Sequence, residues 1–113
     1  MRPESQKYLY DISHAAELLR RFVAGKTFAD VTEDALLQSA VERQLEIIGE
    51  DVNQLSHIDP EAAGRRSEFR RIIALRNILI HGYAQVDTHI LWDVVQVNLP
   101  TLQRETQRLL GSN

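Results

Sequence analysis

The chain has 113 residues, 43% of them hydrophobic, and contains no cysteine. This length fits one domain spanning residues 1–113, and the absence of cysteine excludes disulfides, a thiol nucleophile and zinc–thiolate sites. The formal net charge of -3 argues against a generic nucleic-acid binder, although the charges are unevenly distributed along the chain.

The first residues are polar and lead directly into an amphipathic pattern, so we expect no signal peptide, no membrane span and a soluble, cytoplasmic protein. Apolar residues at three-or-four spacing predict a first helix that Gly25 ends. Asp30 and Glu33 resemble a capping box for a long second helix, which carries a stripe from Leu37 to Leu55 and ends within residues 56–59. Both helices are amphipathic, so each must pack its apolar face against another helix.

The second half of the chain predicts further helices and no strand. Pro60 has the form of a helix start, but only for a short piece. A third helix is predicted from Ser67 to His81, with Gly82 as its left-handed stop. Asp87 or Thr88 can cap a fourth helix, Asn98 followed by Pro100 can start a fifth, and Trp92 is expected in the core. The sequence therefore predicts an all-α, up-and-down bundle of four main helices plus short pieces.

The end of the third predicted helix collects polar groups in an apolar segment. Arg76 and Asn77 lie close to isoleucines and leucines, and His81 and Tyr83 follow. Burying an unpaired arginine costs on the order of several kcal/mol even after relaxation. Arg76 therefore needs a carboxylate or a ligand as a partner. Three glutamates at a spacing of four on the second helix can supply the carboxylate: Glu42, Glu46 and Glu50. Such a pair would orient the planar guanidinium and leave donors for a phosphate oxygen.

The helical period separates the two candidate catalytic groups. Residues advance by about 100° each, so His81 points about 140° away from Arg76. Either the last turn unwinds at Gly82, or two copies of the helix meet across a two-fold axis and build a composite site. We favour the dimer.

Each polar group has a structural as well as a functional interpretation. His81 could simply face the carbonyl dipoles of a helix end, but its ordinary pKa of about 6.5 suits proton transfer near neutrality. Asn77 could bond to the last helical turn, or it could hold His81 or a ribose hydroxyl. Tyr83 could contact a substrate or be a modifiable acceptor.

An arginine-rich window precedes the motif, and only Glu68 opposes it. Its members are Arg65, Arg66, Arg70, Arg71 and Arg76. It could be a solvated helix face or part of a polyanion site. His14, His57 and His89 lack metal-ligand spacing, so no metal site is predicted and these histidines are interpreted as ordinary surface residues.

The pattern R-x-x-x-x-H-x-Y, formed by Arg76, His81 and Tyr83, resembles the signature of HEPN-fold ribonucleases. Further similarity to the HepT-like toxin family extends over nearly the whole chain, in residues 8–12, in residues 45–50 with Asn53, and in Trp92 with residues 99–100. Phe69, Leu75 and Asp51 depart from the family pattern, and Asp51 adds negative charge near the presumed interface.

The resemblance implies an all-helical homodimer that cleaves RNA without a metal or another cofactor, with its site in a cleft at the dimer interface. Arg76 and His81 would be catalytic, and we expect Asn77 and Glu46 to support them. Arg66, Arg70 and Arg71 would border the RNA.

Family members are encoded beside a minimal nucleotidyltransferase antitoxin. By the same resemblance this antitoxin would block Tyr83 by transferring AMP, and the dimer could join it in a larger hetero-oligomer. Two alternatives stay open: a non-catalytic module that docks a nucleotidyltransferase, and a helical dimer that binds nucleotides.

Overall fold

The computed structural model describes residues 2–63, 67–81 and 87–111, apart from the side chains of residues 63, 67–69, 78 and 81. All regular elements in these ranges are helical, which confirms the predicted all-α class. The elements are α1 (Pro3–Val23), α2 (Phe28–Glu33), α3 (Ala35–Ile58), α4 (Pro60–Ala63), α5 (Ser67–His81), α6 (Thr88–Asp93), a π-helical turn (Val94–Asn98) and α7 (Leu99–Leu110).

The four long arms of the bundle are α1, α3, α5 and the run from α6 to α7. The most extensive contacts join α1 to α3 and α3 to α5, and α7 packs against α1 and α5. Burial of the apolar stripes of these arms provides the main stabilisation of the fold. The centre of the core consists of Leu9, Ile12, Leu19, Leu45, Ile48, Val52, Leu55, Ile72, Leu91, Val94 and Leu102.

Helix starts near residue 30 differ from the sequence prediction. The predicted pairing of Asp30 with Glu33 is wrong, because Asp30 forms the capping box with Thr27. The Asp30 N–H donates to Thr27 Oγ1 at 3.1 Å, and the Thr27 N–H donates to Asp30 Oδ2 at 2.8 Å. This box starts the short helix α2. Asp34 then adopts an extended conformation and caps α3 by accepting from the Leu37 N–H, so two helices replace one predicted start.

The predicted fifth helix is present as α7 (Leu99–Leu110), but the Asn98 side chain does not cap it. Asn98 has helical dihedral angles (φ -81°, ψ -37°) and makes no side-chain cap bond. The Leu99 N–H bonds to the Val94 carbonyl, five residues back. Because Pro100 has no N–H and its ring crowds the carbonyl four residues back, a wider π turn lets the helix continue where a regular α-helix would break. The fourth arm therefore runs without interruption from Thr88 to Leu110.

Other predicted boundaries are confirmed. Gly25 follows α1 with φ +72°, α3 ends at Ile58, and α5 covers the predicted residues Ser67–His81. Asp87 caps α6 by accepting from the His89 N–H. Trp92 is only partly buried and packs against the edge of the core. None of the helices described has the length and apolar character that crossing a membrane requires.

Candidate functional site

Helix α5 is oriented by its apolar face, and this face determines where Arg76 lies. Ile72 and Leu75 are buried in the core, and Arg76 follows at the border between α5 and α3. The Arg76 side chain is 22% exposed, so its charge is largely withdrawn from water but still reachable. Arg70 and Arg71, in the first half of the same helix, are exposed.

A glycine on α3 permits this placement of Arg76. A Cβ added at Gly49 would overlap the Arg76 Cβ, lie 2.7 Å from the Arg76 Cγ and lie 3.3 Å from the Ile72 carbonyl oxygen. Any side chain at Gly49 would therefore push α5 away from α3. Sequence reasoning missed this residue, although a glycine inside a helix costs up to about 1 kcal/mol relative to alanine and so indicates a packing demand.

The guanidinium of Arg76 is held from two directions. Its Nη2 donates to Glu50 Oε2 in a short ion pair, and its Nη1 donates to Asn77 Oδ1 at 2.9 Å. Its Nε is buried and has no hydrogen-bond partner among the described residues. Thus the predicted carboxylate partner exists, and it leaves part of the guanidinium uncommitted.

Glu50 is itself positioned by a second side chain. The Gln54 Nε2 donates to Glu50 Oε1 at 3.0 Å. This hydrogen bond lowers the pKa of Glu50, and the charge and hydrogen bond of Arg76 lower it further against the opposing effect of burial. Glu50 is therefore an ionised partner at neutral pH. The sequence offered it as one of three equivalent glutamates without singling it out.

The other two glutamates of that set are placed differently. Glu46 Oε2 accepts from Arg43 Nη1 at 3.2 Å and has no bond to Arg76 within the described residues. Burial and the neighbouring charge of Glu46 raise the pKa of Glu42. A supporting role for Glu46 stays a prediction.

A groove opens beside the Arg76–Glu50 pair, between α3 and the end of α5. It has a volume of about 250 Å³. Its lining combines charged and apolar side chains: Arg43, Glu46, Ile47, Glu50, Asp51 and Ile80. Ile80 lies opposite residues 43–47, which shows that α5 runs antiparallel to α3. The groove adjoins the residue that holds Arg76, because Glu50 contributes to its lining.

Asp51 is the most perturbed acid next to the groove. Burial raises its pKa to about 6, repulsion by Asp11 and Glu50 adds to the shift, and Lys7 opposes it. Its Oδ2 is buried and lacks a hydrogen-bond partner among the described residues. Asp51 therefore releases its proton at a higher pH than an ordinary aspartate, only as the pH approaches neutrality.

The structure describes some of the predicted site residues and not others. Arg76 and Asn77 come together, and His81 is the last residue of α5, with its side chain outside the described set. Arg66 and Tyr83 lie outside the described residues. In the part of the chain that is described, no three His, Asp or Glu side chains form a group suited to a metal ion, which leaves metal dependence to experiment.

Comparison of the sequence with known proteins identifies the family of this chain. The family model described as "Ribonuclease HepT-like" matches residues 12–109. A protein of Thermococcus cleftensis named "Probable ribonuclease HepT" is 34% identical over 113 residues, covering 96% of this chain and 98% of the relative. The chain belongs to the HepT-like ribonuclease family.

Other relatives of this HepT-like chain include a protein of Caldanaerobacter subterraneus subsp. tengcongensis named "Putative RNase TTE0752". It is 33% identical over 103 residues, covering 91% of each chain. A Methanocaldococcus jannaschii protein named "Gamma-glutamylcyclotransferase and putative RNase MJ0434" is 31% identical over 110 residues, which is 97% of this chain and 49% of that protein. No solved structure matches the chain significantly. The helical bundle is therefore a HEPN-like fold by sequence family and by architecture.

Proposed function

We propose that this chain is a metal-independent endoribonuclease whose catalytic groups are Arg76 and His81. The observation that carries the proposal is the Arg76 guanidinium, which Glu50 and Asn77 hold at the edge of a groove five residues before His81. A fixed, partly desolvated cation stabilises charge better than a solvated one, because it needs no reorganisation during the reaction. Membership of a ribonuclease family supports RNA as the substrate.

In the proposed reaction the ribose 2′-hydroxyl attacks the adjacent phosphorus, and the bond to the 5′-oxygen breaks. His81 either takes the proton of the 2′-hydroxyl or gives a proton to the leaving 5′-oxygen, and water or the second His81 of the proposed dimer makes the other transfer. Arg76 neutralises the charge that gathers on the non-bridging oxygens. The products are a 2′,3′-cyclic phosphate and a free 5′-hydroxyl. DNA, which lacks the 2′-hydroxyl, is not cut.

The complete site requires two copies of the chain. Arg76 and His81 diverge by about 140° around one straight helix, so a single helix cannot easily aim both at one phosphate. We propose an isologous dimer through α3 and α5, which would bring two copies of each residue into one cleft. The exposed Arg70 and Arg71, together with Arg66, would border the cleft and contact the RNA backbone.

The biological setting that fits this activity is a type II toxin–antitoxin system. A minimal nucleotidyltransferase would transfer AMP from ATP to the Tyr83 hydroxyl and release pyrophosphate. The added phosphate would bring negative charge and bulk two residues from His81, which would exclude RNA. Incubation of both proteins with labelled ATP should label the wild-type chain and spare Tyr83→Phe; an unlabelled wild-type chain would contradict this regulation.

The cleavage itself is tested with purified protein, labelled RNA and a chelator. Wild-type protein should cut RNA in the chelator, and Arg76→Ala and His81→Ala should each lose roughly a hundredfold or more in rate. Arg43→Ala is the control, since it removes a different cation, which lines the neighbouring groove. Full activity of either motif variant, or cleavage only with added divalent metal, would contradict the proposal.

A further inference from the structure

A chain of hydrogen-bonded side chains crosses from α3 to α5 and includes the guanidinium of Arg76. It begins on α3, where Gln54 Nε2 donates to Glu50 Oε1 at 3.0 Å. The other carboxylate oxygen, Glu50 Oε2, accepts from Arg76 Nη2 on α5. Arg76 Nη1 in turn donates to Asn77 Oδ1 at 2.9 Å. Each oxygen of the Glu50 carboxylate thus has its own donor, one from α3 and one from α5.

Few contacts orient the Arg76 guanidinium. Its Nε is buried without a hydrogen-bond partner among the described residues, so the bonds of the two terminal nitrogens set the plane of the group. One of these bonds goes to Asn77, which is exposed and neutral, and the other goes to the ionised Glu50. The bond between two charged groups is the stronger of the two. The orientation of Arg76 therefore depends mainly on Glu50.

Packing alone does not fix the Glu50 side chain, because it is 43% exposed. Gln54 lies four residues later on α3, one turn away on the same face of the helix, where its carboxamide reaches the Glu50 carboxylate. This hydrogen bond is the largest cause of the lowered pKa of Glu50, ahead of the charge and the hydrogen bond of Arg76. Gln54 thus keeps the carboxylate ionised and limits its rotation into water.

We propose that Gln54 is a positioning residue for RNA cleavage, which holds the Glu50 carboxylate in the orientation that fixes the Arg76 guanidinium. This inference rests on the proposed function, because Arg76 is assigned there to the phosphate. Gln54 acts through Glu50 and needs no contact with RNA. A misplacement of a catalytic group by about 1 Å can reduce catalysis about a hundredfold. Loss of one support of its anchor should have a smaller effect of the same kind.

Gln54→Met tests the positioning role, because methionine has a similar length and cannot donate a hydrogen bond. Gln38→Met is the matched control: Gln38 is also a partly buried glutamine of α3, and its Nε2 donates to Thr88 Oγ1 at 3.3 Å. Under single-turnover conditions at saturating RNA, Gln54→Met should cut roughly tenfold more slowly than the wild type. Gln38→Met should cut at the wild-type rate. Equal rates for wild type and Gln54→Met would overturn the proposal.

A double-mutant cycle separates positioning from a general effect on the fold. If Gln54 acts only through Glu50, Gln54→Met should slow cleavage little further in a Glu50→Ala chain. Losses that multiply in the double variant would overturn the proposal. The carboxyl NMR signal of Glu50 supplies a readout that needs no RNA. Gln54→Met should raise the pKa of Glu50 and Gln38→Met should leave it unchanged, because only the first removes a bond to the charged form. An unchanged Glu50 pKa in Gln54→Met would also overturn it.

The outcomes separate this inference from the proposed function. If the wild-type chain cuts no RNA, or if Arg76→Ala cuts as fast as the wild type, the proposed function is wrong and the positioning role of Gln54 is wrong with it. If Arg76→Ala is inactive and Gln54→Met cuts at the wild-type rate, the proposed function stands and only the role of Gln54 is wrong.

Discussion

Gly49 lies directly beneath Arg76, so close that the smallest side chain would collide with the arginine stem. The glycine therefore sets the distance between α3 and α5 at the point where the catalytic cation is proposed. It also fixes which glutamate of α3 receives the guanidinium, because Glu50 is the next residue. Helix packing and site geometry are determined by the same contact.

Gly49→Ala should separate the helices at Arg76 and misplace the guanidinium. Overpacking of this kind costs about 1–3 kcal/mol of stability, and a shift of about 1 Å can reduce catalysis a hundredfold. Gly25→Ala is the matched control. Gly25 has φ +72° and open space around it, so alanine there should cost about 1 kcal/mol through backbone strain alone. Urea unfolding and RNA cleavage should show both variants destabilised and only Gly49→Ala inactive; an active Gly49→Ala would contradict the packing argument.

Glu50 and Glu46 should differ sharply as supports of Arg76. Glu50→Gln keeps the shape but removes the charge that anchors the guanidinium, so cleavage should fall roughly tenfold to a hundredfold. Glu46→Gln breaks only the half-exposed pair with Arg43, and its effect should be smaller. Cleavage rates of the two variants under single-turnover conditions decide the order. A larger loss in Glu46→Gln would mean that Glu46 supports the site in the dimer.

Asp51 should make the folded protein less stable as the pH rises. The ordinary pKa of an aspartate is 3.8, and the pKa of Asp51 in the folded protein is raised to about 6. Between these values the folded protein keeps a proton that the unfolded chain has released, so the free energy of unfolding falls across this interval.

Asp51→Asn should therefore be more stable than the wild type at pH 8, by on the order of 1 kcal/mol once solvent screening of a half-exposed group is allowed for, with no gain at about pH 4. Urea unfolding at the two pH values measures the difference. Asp93→Asn, at an exposed position, is the control for the loss of one surface carboxylate. An Asp51→Asn protein less stable at pH 8 would show that the carboxylate has a stabilising partner.

Mixed dimers should reveal whether the site is shared. Arg76→Ala and His81→Ala chains are each expected to be inactive alone. If a site takes its arginine from one protomer and its histidine from the other, a mixed dimer contains one complete pair and should recover part of the activity. Cleavage should be measured after the two variants are unfolded and refolded together. Lasting inactivity of verified mixed dimers would contradict the shared site.

Sequence patterns predict the long helices well because each arm buries one continuous apolar stripe. The bounds of α5 follow from Ser67 and from the helical spacing up to His81. The start of α3 is mispredicted because several residues that can cap a helix lie close together, and the choice among Thr27, Asp30 and Asp34 depends on local dihedral angles. Asn98 and Pro100 correctly predict α7, but the π turn that joins it to α6 without a break leaves no clear mark in the sequence.

The site is predictable in part. The need for a carboxylate beside Arg76 follows from the cost of burying its charge, and the structure supplies one. Three glutamates at a spacing of four share one helix face, so only the register between α3 and α5 identifies Glu50. Gly49 determines that register because any side chain there would collide with Arg76 on α5. This contact joins two helices, so the sequence of one helix does not predict it.

The central claim is that RNA is cut through its own 2′-hydroxyl by Arg76 and His81. The most direct measurement compares two labelled oligonucleotides in a chelator, identical except for one 2′-deoxyribose immediately 5′ of a mapped cleavage site. The account predicts a 2′,3′-cyclic phosphate at the site in the all-ribose strand and no cleavage at the substituted position. Cleavage of both strands at that position at equal rates would contradict it.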